Sequence, residues 1–250
     1  MIRKLLYYIV FSVFSFASTA YAVVKIGTLQ FDPPFVTTDN HFVSNGFDID
    51  LMKNICTELS WQCEFVTYNE YDKLVDALID HHIDYAISGI VIIPLKDNRL
   101  LFSLPYLLSA GTFLTLKKNT DINDLASLKD KKIGVLDGRG YGEYLKQNAD
   151  LLKINVVDYH NYMDLFNDLY DGKVDAIFMN NYTGLYLLHR YPNYVKLVNT
   201  SIRFADGIGI LSRADNKENI DKINALLNKF ESDGTFIKLY NYNFAFFIKQ

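Results

Sequence analysis

Apolar positions along the chain fall into two recurring patterns: short continuous runs, and longer stretches with apolar residues three and four apart. Val23 to Leu29 (VVKIGTL), Cys63 to Tyr68 (CEFVTY) and Asp84 to Ile93 (DYAISGIVII) are predicted strands. Between the first two, Phe47, Leu51, Ile55 and Leu59 recur at helical spacing from Gly46 to near Ser60, with Asp48 set to cap exposed amides. Leu74, Val75 and Leu78 mark a second helix from Asp72 to Ile79. This β-α-β-α-β order predicts a parallel sheet with right-handed crossovers.

A strand from Gly111 to Lys117 follows, and then the pattern restarts. Strand Ile133 to Leu136, a helix containing Tyr144 and Leu145, strand Ile154 to Asp158, helix Tyr162 to Tyr170 and strand Val174 to Met179 repeat the same order. Asn180 to Thr183 open a further helix, which reaches His189. The remainder holds a strand from Ile208 to Leu211 and a helix from Lys217 to Phe230, with Ile220, Ile223, Leu226, Leu227 and Phe230 on one face. An aromatic-rich tail ends the chain and has no core of its own. Returning it to the first half gives an α/β fold of two lobes, residues 23–109 plus 207–250 and residues 110–206, joined by two crossovers with a cleft between them.

Composition narrows the setting. Half of the 250 residues are hydrophobic and 15% aromatic, which excludes disorder. Arg3 and Lys4 precede an apolar run from Leu5 to Ala17, and Ala20-Tyr21-Ala22 places small residues where a signal peptidase reads them. Residues 1–22 are therefore an expected signal peptide, cleaved after Ala22 for export to the periplasm. Loss of Arg3 and Lys4 moves the net charge from -4 to about -6, which argues against nucleic-acid and anionic-membrane partners. Cys56 and Cys63 have no competing cysteine in an exported chain, and a disulfide is the default expectation. The histidines are scattered and give no metal-ligand spacing, so neither a metal nor a cofactor is expected.

Candidate chemistry lies after the strands. Gln30 to Phe35 (QFDPPF) forms a loop at the carboxyl end of the first strand, the usual ligand edge of an α/β sheet. Ser88 and Gly89 interrupt the third predicted strand with a hydroxyl and an open backbone, and Lys96 follows as a cation for an anion held there. Phe102-Ser103-Leu104-Pro105-Tyr106 then leads away toward a crossover.

Several segments carry a family resemblance: Gly46-Phe47-Asp48-Ile49-Asp50-Leu51, Asp84 to Gly89 with Pro94, Phe102 to Tyr106, Lys132-Ile133-Gly134-Val135, Gly172 to Ala176 and Asp233-Gly234-Thr235. Together they resemble the periplasmic solute-binding proteins of polar amino-acid ABC importers, family 3, over nearly the whole mature chain, with histidine- and arginine-binding members nearest. Those members share the spacing of Cys56 and Cys63 in a disulfide. The resemblance implies a monomeric receptor that takes a small polar amino acid and delivers it to an inner-membrane ABC permease, with Asp32 and Asn180 as candidate acceptors that tilt the choice toward a basic one. It assigns ligand contacts to Phe31, Asp32 and Tyr71, to Ser88, Gly89 and the Ile90 amide, and to the helix start Gly138, Arg139, Gly140 and Tyr141. The arginine that grips the ligand α-carboxylate in the family falls on Lys96, and the aspartate that holds the α-ammonium falls on Asn180. Both departures weaken recognition of an α-amino acid: a lysine lacks the guanidinium fork, and an asparagine brings no charge. Two alternatives stay open, a receptor for a carboxylate without an α-amine and a cyclohexadienyl dehydratase-like enzyme using Asp32 as general acid. The bare alternatives are a packed Tyr71, an Asp32 that satisfies turn amides and an Arg139 in solvent.

Overall fold

The computed structural model describes residues 23–38 and 44–245. The predicted signal peptide and its cleavage site lie outside them. In chain order the first half gives β1 (Val24–Leu29), β2 (Phe31–Asp32), β3 (Val36–Thr38), β4 (Ser44–Asn45), α1 (Phe47–Glu58), β5 (Cys63–Tyr68), α2 (Tyr71–Ile79), β6 (Tyr85–Ala86) and β7 (Leu100–Phe102). The second half follows with β8 (Ala110–Leu116), β9 (Lys132–Leu136), α3 (Gly140–Leu152), β10 (Asn155–Tyr159), α4 (Tyr162–Tyr170), β11 (Ala176–Asn180), α5 (Asn181–Arg190), β12 (Val195–Leu197) and β13 (Ile202–Arg203). The chain then ends in β14 (Leu211–Arg213), α6 (Lys217–Asp233) and α7 (Thr235–Asn243).

Two large sheets result, ordered β5-β1-β6-β14-β7 and β10-β9-β11-β8-β12, with β13 paired to β8. Neither is purely parallel as the element order predicted. β1 runs parallel to β5 and β6, but β14 returns antiparallel to β6 and β7. In the second sheet β9, β10 and β11 are parallel, β8 runs antiparallel to β11, and β12 and β13 each pair antiparallel with β8. β8 and β14 each follow one of the two passages between the sheets, reached from β7 and β13 without a helical crossover, and each inserts between two strands of its sheet.

Those passages pair with each other. Ile208 bridges both Val91 and Leu107, and the Ser103 amide donates to the Ile210 carbonyl at 2.8 Å while the Ile210 amide donates to Ser103 Oγ at 2.9 Å. The strand expected from Asp84 to Ile93 is correspondingly short. Regular pairing stops after Ala86, because Gly89 adopts a positive φ of 56° with its α-carbon against the Phe35 ring, where a Cβ would lie 2.7 Å from Phe35 Cδ2. The strand expected at Ile208 to Leu211 likewise begins only at Leu211, since Ile208 is spent on the passage.

One core fills the second sheet and its helices around Phe113, Phe178, Ile133, Leu145 and Leu165. The first sheet is covered on one face by α1 and α6, through Met52, Ile55, Ile223 and Phe230, with α7 packed on those two helices, and on the other by α2 through Leu74 and Leu78. The aromatic tail is mostly the helix α7, and Phe244 just beyond it is fully buried against Phe47 and Tyr240. Cys56 and Cys63 are joined, tying the end of α1 to the start of β5.

Candidate ligand-binding cleft

Four strand ends build the centre between the sheets. Asp32 follows β1, Ser88 and Gly89 follow β6, Arg139 follows β9 and Tyr162 follows β10, so each side chain leaves the carboxyl end of a parallel strand. Asp32 is fully buried and receives Arg139 Nη2 at 2.5 Å on Oδ2 and the Tyr162 hydroxyl at 2.8 Å on Oδ1. The Ser88 hydroxyl donates to Oδ2 more weakly, at 3.4 Å. Arg139 Nη2 also reaches the Ser88 carbonyl at 2.8 Å, so one guanidinium from the second sheet is gripped by two segments of the first.

Aromatic rings hold that guanidinium flat. Its carbon lies 4.9 Å from the Tyr141 ring centroid and 5.8 Å from that of Tyr71. Phe31 meets the back of Tyr162 edge-on at 5.7 Å. Desolvation works to lower the Arg139 pKa, but the Asp32 carboxylate and the neighbouring tyrosines outweigh it and hold the pKa above its ordinary value. Burial raises the phenol of Tyr71 to about 12 and those of Tyr141 and Tyr162 higher still, so all three are neutral hydrogen-bonding groups.

A second buried carboxylate stands behind this centre. Asp48, expected to cap α1, instead accepts from the Gly89 amide at 2.7 Å and the Tyr106 hydroxyl at 2.9 Å, leaving the helix start without a side-chain cap. Burial raises its pKa to about 7, against the lowering effect of those two hydrogen bonds. It joins the shelf at Gly89 to the passage at Tyr106.

The other sequence-predicted residues divide. Ser88, Gly89, Ile90, Arg139, Gly140, Tyr141 and Asn180 are buried, with Ser88, Arg139 and Tyr141 around the centre; Tyr71 is half-buried above it. Phe31 is 42% exposed. Asn180 caps α5, its Oδ1 accepting from the Tyr182 amide at 2.9 Å. Lys96 stands apart: its side chain is 93% exposed, and its nearest carboxylate is Glu143 at 3.8 Å. It lines an open groove of about 920 Å³ beside the centre, shared with Tyr71, Gly138, Gly140, Glu143 and Phe204. Tyr162 and Asp48 were read from the sequence as helix-start residues and not as members of the site. Tyr162 opens α4 straight after β10, the position at which Arg139 precedes α3 after β9, and that positional rule was signal enough. Nothing local distinguishes Asp48 from an ordinary capping aspartate.

Two mixed α/β sheets joined by paired passages, with charged and aromatic groups of both meeting in between, define a two-lobed solute-binding protein. Residues 24–246 match the bacterial extracellular solute-binding proteins, family 3, and the chain belongs to that family. ABC transporter arginine-binding protein 1 of Escherichia coli strain K12 is 30% identical over 242 residues, covering 95% of this chain and 97% of its own length. The arginine-binding periplasmic protein of Mannheimia haemolytica is 32% identical over 212 residues, covering 84% of this chain and 86% of its own. Among solved structures, an arginine 3rd transport system periplasmic binding protein from Legionella pneumophila superposes with a TM-score of 0.81 at 31% identity, covering 88% of this chain and 98% of that one.

Proposed function

We propose that the protein is the exported receptor of an ABC importer, which closes its lobes on a small solute of the amino-acid class and presents it to an inner-membrane permease. The lobes are residues 23–109 plus 207–250 and residues 110–206, and the mature monomer begins after Ala22. The observation that carries this reading is the Asp32–Arg139 pair. It joins segments of the two sheets at 2.5 Å with side chains 0% and 2% exposed. A buried ion pair is a poor stabiliser, because desolvation of both charges offsets most of their attraction. A polar centre at the meeting of two lobes is therefore better explained by recognition than by folding, and a ligand seated there makes contacts with both lobes only when they are closed.

The curated relatives are binding proteins, and their names support an amino acid with a basic side chain. The Asp32 carboxylate sets a condition on that preference, since a cationic side chain must replace Arg139 to reach it. The same pair weighs against a dehydratase: both Asp32 oxygens already accept hydrogen bonds from protein groups, leaving no carboxylic proton presented to a substrate. Calorimetric titration of refolded, ligand-free protein against the common amino acids and the 2-oxo and 2-hydroxy acids of the same skeletons tests the reading. Heat of binding from members of one class supports it, and silence across the whole panel refutes it.

A further inference from the structure

The hydrogen-bond accounting of the centre points to a ligand chemistry of its own. Both buried carboxylates are taken: Asp32 by Arg139 and Tyr162, and Asp48 by Gly89 and Tyr106. The buried groups left without a hydrogen-bond partner among the described residues include Arg139 Nη1 and Asn180 Nδ2, on side chains 2% and 1% exposed, and the hydroxyls of Tyr141 and Thr183. The two nitrogens can only donate, and the hydroxyls can donate as well as accept. The Asn180 amide is not free to turn its oxygen to the ligand instead, since that oxygen accepts from the Tyr182 amide. The two residues are the N-terminal caps of α3 and α5 at the carboxyl ends of the neighbouring parallel strands, Arg139 three residues past β9 and Asn180 the last residue of β11. A buried donor without a partner is costly, so a site that retains two of them is built for an acceptor.

We propose that the cleft recognises its ligand as a monocarboxylate through Arg139 Nη1 and Asn180 Nδ2, with no requirement for an ammonium group, and that Asp32 serves to orient the guanidinium. This rests on the solute-receptor reading above and assigns the anion to a different cation from Lys96. Lys96 lies in the open groove, where its charge is hydrated and screened, whereas Arg139 is dry and held flat between Tyr71 and Tyr141 with one edge anchored. Asp32 and Arg139 sum to zero, so a bound anion is met by hydrogen bonds and by the partial positive charge of the Asn180 and helix-start dipoles, which favours a single negative charge over two.

The test is calorimetric titration of the full mature protein with matched pairs, each α-amino acid beside its 2-oxo and 2-hydroxy counterpart, for the wild type and three variants. The expected result is that a counterpart lacking the amine binds at least as tightly as the amino acid. Arg139→Gln is expected to weaken it about a hundredfold, the cost of removing a charge-assisted contact in a dry site. Lys96→Ala is expected to leave it within about threefold, as for an exposed charge. Asn180→Asp, which leaves the Asp32–Arg139 pair intact and so keeps the test valid if Arg139→Gln does not fold, is expected to weaken it about tenfold or more by setting a carboxylate against a carboxylate. The proposal is overturned if the wild type prefers the amino acid about tenfold or more and Asn180→Asp tightens it further, or if Lys96→Ala abolishes binding while Arg139→Gln spares it. In both cases the receptor reading survives, whereas absence of heat with every compound removes the receptor reading and the proposal together.

Discussion

Gly140 offers the sharpest test of lobe closure. It opens α3 in the second lobe, and its α-carbon faces Val91 and Ile93 on the segment that follows β6 in the first. A Cβ placed there would lie 2.8 Å from Ile93 Cγ2, 2.9 Å from Val91 Cβ and 3.0 Å from Val91 Cγ1. Carbon atoms pack at about 3.5 to 4.0 Å, so the methyl group of Gly140→Ala intrudes by roughly half an ångström or more on three atoms. The Ile93 methyl can rotate away. Val91 Cβ cannot, because it is fixed to the backbone and the side chain is packed into the second-lobe core beside Tyr141. Overpacking of this kind costs about 1 to 3 kcal/mol. Only the closed arrangement bears that cost, since the two sides of the contact belong to different lobes, and an alanine in the first turn of a helix is itself well tolerated. The ligand dissociation constant should therefore rise about five- to 150-fold, while the thermal midpoint of each ligand-free lobe holds. Titration calorimetry gives the first quantity and calorimetric scanning the second; small-angle scattering should also lose its ligand-induced compaction. Binding within about twofold of the wild type, less than half a kcal/mol, would refute the claim that this contact limits closure.

Other perturbations give separate readouts. Asp48 has a folded pKa of about 7 against an ordinary 3.8, so its protonated form is favoured by folding. Its contribution is complete below pH about 4 and is lost as pH rises through about 7, by an amount on the order of 4 kcal/mol. Asp48→Asn should flatten that fall, and urea midpoints of wild type and variant that run parallel from pH 4 to 8 would contradict it. Replacing Cys56 and Cys63 by alanine reopens a seven-residue separation, and the loop-closure entropy puts the loss at about 2.5 kcal/mol, read as a lower denaturant midpoint with no change in ligand stoichiometry. Phe244→Ala empties a fully buried site that touches Phe35, Phe47, Tyr182 and Tyr240, for an expected loss of about 3 to 5 kcal/mol, and a chemical-denaturation change below 1 kcal/mol would show that the end of the chain is not part of the core.

The sequence by itself determined the elements and their order. Helix α4 and strand β5 stand where their apolar spacing put them, from Tyr162 to Tyr170 and from Cys63 to Tyr68, because periodicity is a local property that each element needs to bury one face. It also marked the loop from Gln30 to Phe35 at the carboxyl end of the first strand and the break at Ser88, a rule that depends only on connectivity, while Asp32 and Arg139 were assigned to the ligand through the family resemblance. The tertiary structure decided strand direction and side-chain partnership. β14 and β8 run antiparallel because of where the chain re-enters each sheet, which no local pattern records. Lys96 and Arg139 are both cations following a strand, yet one is solvated in a groove and the other is dry between two tyrosines. Asp48 and Asp32 are both short acids near turns, yet Asp48 ties the Gly89 shelf to the Tyr106 passage while Asp32 meets a guanidinium 107 positions away. Charge, burial and pairing of that kind arise from residues distant in sequence brought to one place, and so only the folded chain fixes them.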